Sequence, residues 1–153
     1  YLRWMYLQND LCKANQIIIN NTPLDVKSID IPGFFVATIK DHIAPWQTVY
    51  KGFQLYGGEK EFILGGSGHI AGIINPPGRK KYGYYTSEHV AQTADEWLKQ
   101  SQQHQGSWWT AWLKWLNKQS GRVKKAPQLA KLPYQPQMDA PGNYVRMSTK
   151  SKI

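Results

Sequence analysis

An aspartate and a histidine, 28 residues apart, are the side chains of this sequence best suited to do chemistry. Asp41 follows the apolar run 34–39, and His69 lies in the glycine-rich stretch 65–72, directly after a second apolar run. A carboxylate can orient one imidazole nitrogen while the other nitrogen takes a proton from a serine or cysteine. The pattern therefore indicates the acid and the histidine of a nucleophile–histidine–acid triad.

The segments around these two residues predict a strand, a helix and a second strand. Residues 34–39 are apolar on both faces, as buried parallel strands are. Pro45 suits the first turn of a helix, and residues 45–56 carry an apolar stripe that ends at two glycines. Residues 60–64 form the next strand. This order predicts a parallel pair with a right-handed crossover, so that Asp41 and His69 meet at one sheet edge.

A partner nucleophile is missing from the sequence. The single cysteine, Cys12, lacks the flanking glycines of the G-x-[SC]-x-G turn that α/β-hydrolases use. We expect Cys12 to be an ordinary residue at a helix end and the nucleophile to lie upstream. Residues 66–71 formally fit the G-x-G-x-x-A dinucleotide fingerprint, but the prolines that follow leave little room for the helix it requires.

Other readings of the polar residues stay open at this point. Asp41 could cap the helix that follows it, and His69 could be a structural loop histidine. His42 is expected to have a packing or orienting role and not a chemical one, because its side chain and that of Asp41, as neighbours in an extended segment, point apart. His89 and His104 lie in polar, helix-like sequence and are expected at the surface. The histidines and the cysteine lack the spacing of a metal site, so none is expected.

Composition narrows the class of protein. The 153 residues are 41% hydrophobic, enough for a packed core, and no apolar run is long enough to span a bilayer. The net charge of +9 could attract nucleic acid, a membrane surface or an anionic substrate. No nucleic-acid-binding motif is visible, and solvated surface charge explains most of the excess. The absence of an initiator methionine suggests a segment of a longer protein.

The remaining segments predict further helices. Residues 1–11 and 87–103 read as helices, the second capped by Ser87, and residues 17–19 as a short strand. Ser107 caps another helix, in which four apolar residues recur at helical spacing: Trp108, Trp112, Trp115 and Leu116. This stripe either packs on the sheet or meets an apolar boundary. Residues 127–141 read as an extended arm.

Several blocks of the chain resemble the polyhydroxyalkanoate (poly-3-hydroxybutyrate) synthases, most of all the class I type. They are YLRWMYLQNDL, DIPGFFVATIKDHIAPW, ILGGSGHIAGIINPP, GSWWTAWLKWL and PGNYVRM. The resemblance implies that residues 1–153 are a C-terminal fragment of one α/β-hydrolase catalytic domain, without its nucleophile. Parallel strands with crossover helices, C-terminal helices and an extended arm at 121–153 would make up this α/β fold.

The resemblance also implies an activity and its partners. The family is an acyltransferase that joins 3-hydroxyacyl units from coenzyme A thioesters onto a polyester, so coenzyme A enters as part of the substrate and no cofactor is implied. Asp41 matches the family's catalytic aspartate in D-H-I-x-P-W, and His69 matches its histidine in S-G-H-I-A-G. The cysteine nucleophile would come from the upstream part of the same protein, so this fragment alone should be inactive.

By the same resemblance the protein would be cytoplasmic, a homodimer and associated with polymer granules. Two hypotheses remain for the basic cluster Arg79, Lys80 and Lys81: contact with coenzyme A phosphates, or exposed turn charge. Two other functions remain open, namely an esterase or thioesterase of the same fold, and a non-enzymatic basic binding module.

Overall fold

The computed structural model describes residues 1–128, 131 and 133–148. It divides into two compact units, Tyr1–Ser120 and Gly121–Ile153. The first unit holds the sheet, the long helices and both candidate residues, Asp41 and His69.

A four-stranded sheet organises the first unit. Strand β3 (Gly33–Thr38) pairs in parallel with β4 (Lys60–Gly65). Strands β5 (Tyr84–Thr86) and β6 (Gln102–His104) then add antiparallel, in the order β3-β4-β5-β6. The predicted β-α-β unit and the α/β class are confirmed. The expectation of parallel strands fails for β5 and β6, because β5 pairs antiparallel with β4, and β6 pairs antiparallel with β5.

Helices cover both faces of the sheet. Helix α1 (Trp46–Leu55), the crossover between β3 and β4, and helix α2 (Ala94–Gln100) pack on one face. Helix α3 (Trp109–Gln119) packs on the other, where the Phe34 ring lies 5.4 Å from that of Trp115. Successive side chains of β3 and β4 alternate between these layers, as strand geometry requires. The result is a three-layer arrangement with a core on each side of the sheet.

The core beside α1 and α2 is largely aromatic. Tyr50, Phe53, Phe62 and Trp97 are almost fully buried, and the ring centroids of Phe62 and Trp97 lie 4.9 Å apart at an edge-to-face angle. The Tyr50 hydroxyl donates to the Ala91 carbonyl and accepts from the Ala91 amide, both at 3.0 Å. These two bonds fix the loop that precedes α2.

Two predicted helices differ from the observed elements. Residues 1–11 form a π-helical turn, Leu2–Leu7, and a 3-10 turn, Asp10–Cys12, because Asn9 adopts a left-handed conformation at φ 50°. In the second segment, the helix cap lies six residues later than predicted, at Thr93 rather than Ser87. Thr93 and Glu96 form a reciprocal capping box there.

The predicted strand at 17–19 is present as one arm of a small hairpin. Strand β1 (Ile18–Ile19) pairs with β2 (Thr22–Pro23). Asn20 and Asn21 connect them with φ angles of 48° and 61°, the left-handed pair that a tight hairpin turn requires.

The second unit is described by itself. Its described residues are almost all exposed and include one 3-10 turn, Tyr144–Arg146. The predicted arm contains residues 129, 130 and 132, which lie outside the described part of the chain, as do 149–153. Across both units, no described helix is long and apolar enough to cross a bilayer.

Candidate active site

Asp41 and His69 are brought together by the fold, as the sequence predicts. The Asp41 Oδ2 atom lies 2.8 Å from His69 Nδ1. The carboxylate side chain is only 8% exposed, whereas the imidazole side chain is 48% exposed. A buried acid therefore holds one edge of a ring whose other edge is open to a reactant.

The parallel pairing of β3 and β4 sets this geometry. Thr38 and Gly65 are register partners, so the two strands end level with each other. Beyond them, the Ile39 amide donates to the Gly65 carbonyl and the Lys40 amide donates to the Ser67 carbonyl, each at 2.9 Å. The two loops therefore leave the sheet side by side, each carrying one member of the pair.

The second carboxylate oxygen of Asp41 bonds the backbone and not His69. Oδ1 accepts hydrogen bonds from the backbone amides of Ile43 and Ala44, both at 2.9 Å. These bonds hold the turn that leads into α1, whose N-cap residue, Pro45, has no side-chain cap of its own. Of the two alternatives that the sequence leaves open, the histidine contact is present, whereas Asp41 bonds the turn before α1 and does not cap the helix itself. Sequence reasoning did not identify the two amides, although an aspartate followed by a proline-initiated helix is a signal for such a turn.

The environment of Asp41 keeps it ionised. The Ala44 amide bond, followed by the His69 bond, lowers the pKa of Asp41 from 3.8 to about 2, against the opposing effect of burial. An ionised carboxylate can only accept hydrogen bonds, so the bonded Nδ1 atom of His69 must carry a proton. In the neutral ring, Nε2 then holds the free lone pair. The pair presents a base at its exposed edge.

The loop around His69 forms a tight turn. The Gly72 amide donates to the Gly68 carbonyl at 2.9 Å, and the Ile74 amide donates to the Ile70 carbonyl at 2.8 Å. Ile70 and Ile74, in the same turn, are 74% and 61% exposed.

The remaining histidines lie outside this pair. His42 and His89 are exposed. His104 is half-buried in β6, where it stacks on Tyr84 at 4.9 Å and shares a 2.7 Å hydrogen bond with Thr86 Oγ1. The prediction of a surface position is therefore wrong for His104, because the segment is the edge strand of the sheet, paired with β5, and not a helix.

Cys12 and the basic cluster make no described hydrogen bond to the pair. Cys12 is exposed, and its thiol donates to the Asn9 carbonyl at 2.9 Å. Arg79, Lys80 and Lys81 are exposed in and after the 3-10 turn Pro77–Arg79. No group of three or more His, Cys, Asp or Glu residues in the described part of the chain is arranged to hold a metal ion.

Similarity to known proteins covers nearly the whole chain. No protein-family model matches it. The poly(3-hydroxyalkanoate) polymerase of Methylorubrum extorquens is 43% identical over 150 residues, 96% of this chain and 24% of that protein. The poly(3-hydroxyalkanoate) polymerase subunit PhaC of Cupriavidus necator is 38% identical over 147 residues, 95% of this chain and 25% of that protein. Poly(3-hydroxyalkanoate) polymerase 2 of Ectopseudomonas oleovorans is 39% identical over 139 residues, 90% of this chain and 25% of that protein.

The chain thus spans about a quarter of the length of the curated relatives that it matches. The comparison confirms the resemblance stated from the sequence: over nearly its whole length, this chain is related to the polyhydroxyalkanoate synthases.

Proposed function

We propose that this chain is the C-terminal part of a polyester synthase with an α/β-hydrolase fold, and that it supplies Asp41 and His69 to a Cys–His–Asp triad. The observation that carries the proposal is the 2.8 Å contact between a buried carboxylate and an exposed imidazole at the end of two parallel strands. The relatives, each named a poly(3-hydroxyalkanoate) polymerase, supply the substrate class.

The first step is acyl transfer to the cysteine. His69 Nε2 takes the thiol proton, and the resulting thiolate attacks the carbonyl carbon of a 3-hydroxyacyl-CoA thioester. A carbon–sulfur bond to the enzyme forms as the bond to coenzyme A breaks. The departing coenzyme A sulfur then takes up the proton held by His69. Asp41 stabilises the imidazolium that exists between these proton transfers.

The second step extends the polyester. A 3-hydroxyl group, from a monomer or from a chain end, loses its proton to a base and attacks the acyl-enzyme carbon, which releases the cysteine. We assign this base to His69 rather than to Asp41. A carboxylate with a pKa of about 2, with both oxygens already bonded to His69 and to backbone amides, is a weak proton acceptor near neutral pH. Asp41 orients and stabilises the imidazole instead.

Three proposed partners follow from the reaction: a 3-hydroxyacyl-CoA, the growing polyester and the upstream part of the same protein. The resemblance to the polyhydroxyalkanoate synthases adds a second copy in a homodimer and the surface of the polymer granule in the cytoplasm. On α3, Trp112 and Leu113 are 40% and 57% exposed, which supports a granule-facing surface at that position. The exposed charges at Arg79–Lys81 remain a hypothetical contact for coenzyme A phosphates. No cofactor is required.

Substitution of the pair in the full-length protein tests this proposal. With Asp41→Asn or His69→Gln, we expect the rate of coenzyme A release from 3-hydroxybutyryl-CoA to fall by about 10⁴-fold or more, as it does when the acid or the histidine of other triads is removed. His89→Gln, which changes an exposed histidine outside the pair, serves as the matched control and should retain the wild-type rate. Circular dichroism verifies that each variant is folded.

The products separate the synthase from its alternatives. A synthase makes polymer from the thioester, whereas a thioesterase releases free 3-hydroxybutyrate. Coenzyme A release within about threefold of the wild-type rate in folded Asp41→Asn and His69→Gln proteins would refute the catalytic assignment. Free hydroxy acid as the sole product would refute the synthase.

A further inference from the structure

The position of His69 depends on the backbone of its loop. Its ring is about half exposed, and its described side-chain hydrogen bond is the one to Asp41. The turn that carries it is closed by the bond from the Gly72 amide to the Gly68 carbonyl, on either side of the histidine. Contacts that fix the position of Gly72 therefore also fix the position of the imidazole.

Two adjacent tryptophans of the segment that opens α3 bond this loop directly. The indole nitrogen of Trp108 donates to the Gly72 carbonyl at 2.9 Å, and the indole nitrogen of Trp109 donates to the Ile73 carbonyl at 2.9 Å. Trp108 is 8% exposed, so its bond is shielded from water. Two consecutive carbonyls are thus fixed by two consecutive side chains, 36 residues further along the chain.

These tryptophans are themselves firmly held. Trp108 packs with the core residues Ile63 and Tyr84, and its ring lies 6.4 Å from that of Phe34 in β3. Ser107, 5% exposed, accepts a hydrogen bond from the Trp109 amide at 3.1 Å. The indole donors are therefore part of the packed layer that lies against the sheet carrying Asp41. They tie the loop of one triad member to the strand that carries the other.

We propose that Trp108 and Trp109 are positioning residues that hold His69 at hydrogen-bonding distance from Asp41. The inference rests on the proposed function of the pair, and it assigns the indole N–H groups a role beyond packing. Loss of either donor leaves a loop carbonyl without its partner and frees the turn to shift. A shift of about 1 Å at a reacting group can lower a rate on the order of 10²-fold.

Removal of the N–H group without change of shape tests the proposal in the full-length enzyme. Trp108 and Trp109 are replaced one at a time by 3-benzothienylalanine, which keeps the bicyclic ring but has sulfur in place of N–H. We expect kcat for 3-hydroxybutyryl-CoA to fall about 10-fold to 100-fold, with KM changed by less than about threefold, because substrate contacts are untouched. The Trp108→Phe and Trp109→Phe proteins should likewise show a lower kcat and a nearly unchanged KM.

A second readout reports on the contact between His69 and Asp41. The proton on His69 Nδ1, which is held by the carboxylate, is followed by NMR in protein labelled with ¹⁵N-histidine and assigned by its loss in His69→Gln. We expect this resonance to move or broaden in the two benzothienylalanine variants. In Trp115→Phe, the matched control on the same helix, it should be unchanged, because Trp115 packs on Phe34 and makes none of the described hydrogen bonds to the loop.

The results that would overturn the positioning role of the tryptophans differ from those that would overturn the proposed function. Wild-type kcat and an unshifted Nδ1 resonance in folded variants would overturn the positioning role, as would a loss of rate that disappears after correction for the folded fraction. Those results leave the triad intact if His69→Gln still abolishes turnover. If His69→Gln remains active, the proposed function itself fails.

Discussion

Replacement of Gly72 by alanine should destabilise the protein through overcrowding beneath His69. A Cβ atom at this position would lie 2.4 Å from the Thr38 Cγ2 atom, 2.6 Å from the Gly66 carbonyl oxygen and 2.8 Å from the Gly68 carbonyl oxygen. Two of these contacts are to backbone, and Thr38 is only 1% exposed. No flexible side-chain end is available to move aside, so the loop itself must be displaced.

The expected loss of stability in Gly72→Ala follows from these distances. Overpacking a core position costs about 1–3 kcal/mol, and three contacts below 3.0 Å place Gly72→Ala near the upper end, at about 3 kcal/mol. Because the displaced loop carries His69, turnover should fall further than the loss of stability alone explains.

Urea unfolding followed by circular dichroism measures the effect, with Gly78→Ala as the control. A Cβ atom at Gly78 would meet no atom within 4 Å, so its free energy of unfolding should change by less than about 0.5 kcal/mol. Thr38→Ser removes the Cγ2 atom of the tightest contact and should recover about 1 kcal/mol in the double variant. Equal urea midpoints for Gly72→Ala and Gly78→Ala would refute the packing argument.

Two further predictions concern single groups. Tyr50→Phe removes both hydrogen bonds to Ala91 and should lower the free energy of unfolding by about 1–3 kcal/mol in urea titrations; an unchanged midpoint would contradict the role of the hydroxyl. In His69→Gln, the pKa of Asp41, measured by ¹³C NMR of its carboxyl group, should rise only part of the way from about 2 toward 3.8, because the largest cause, a backbone amide, remains. Since folding lowers this pKa, the stabilisation is present above pH 3.8 and is lost as pH falls through about 2; a full return to 3.8 in His69→Gln would contradict this explanation.

The sequence predicts the part of the fold that carries the site, because the signals there are local. The apolar run of β3, the proline before α1 and the two glycines after it each fix an element without reference to distant residues. The order of these elements then determines a parallel pair, and a parallel pair places its two following loops at one edge. Asp41 and His69 could therefore be paired from the sequence before any distance was known.

The missed elements depend on distant contacts. Strands β5 and β6 have three residues each, too short for a pattern of alternation, and they exist because they pair with β4 and with each other. Ala91 fits a helical stripe in the sequence but lies in a loop bonded to Tyr50. The indole bonds of Trp108 and Trp109 join residues 36 positions apart, and the spacing of tryptophans along a helix says nothing of where their N–H groups point.

The two oxygens of Asp41 have different roles: Oδ1 stabilises the turn before α1, and Oδ2 orients His69. The variant Asp41→Asn can keep a carbonyl oxygen for the amides of Ile43 and Ala44, which fixes the orientation of the side-chain amide. Its NH₂ group must then face His69, so Nδ1 has to accept and the ring proton moves to Nε2. The imidazole loses its base at the exposed edge while the turn into α1 survives. Asp41→Ala, in contrast, releases both the turn and the ring. If the two variants lose activity equally but only Asp41→Ala loses stability, the carboxylate acts on catalysis by setting the tautomer of His69 and on folding by holding two amides.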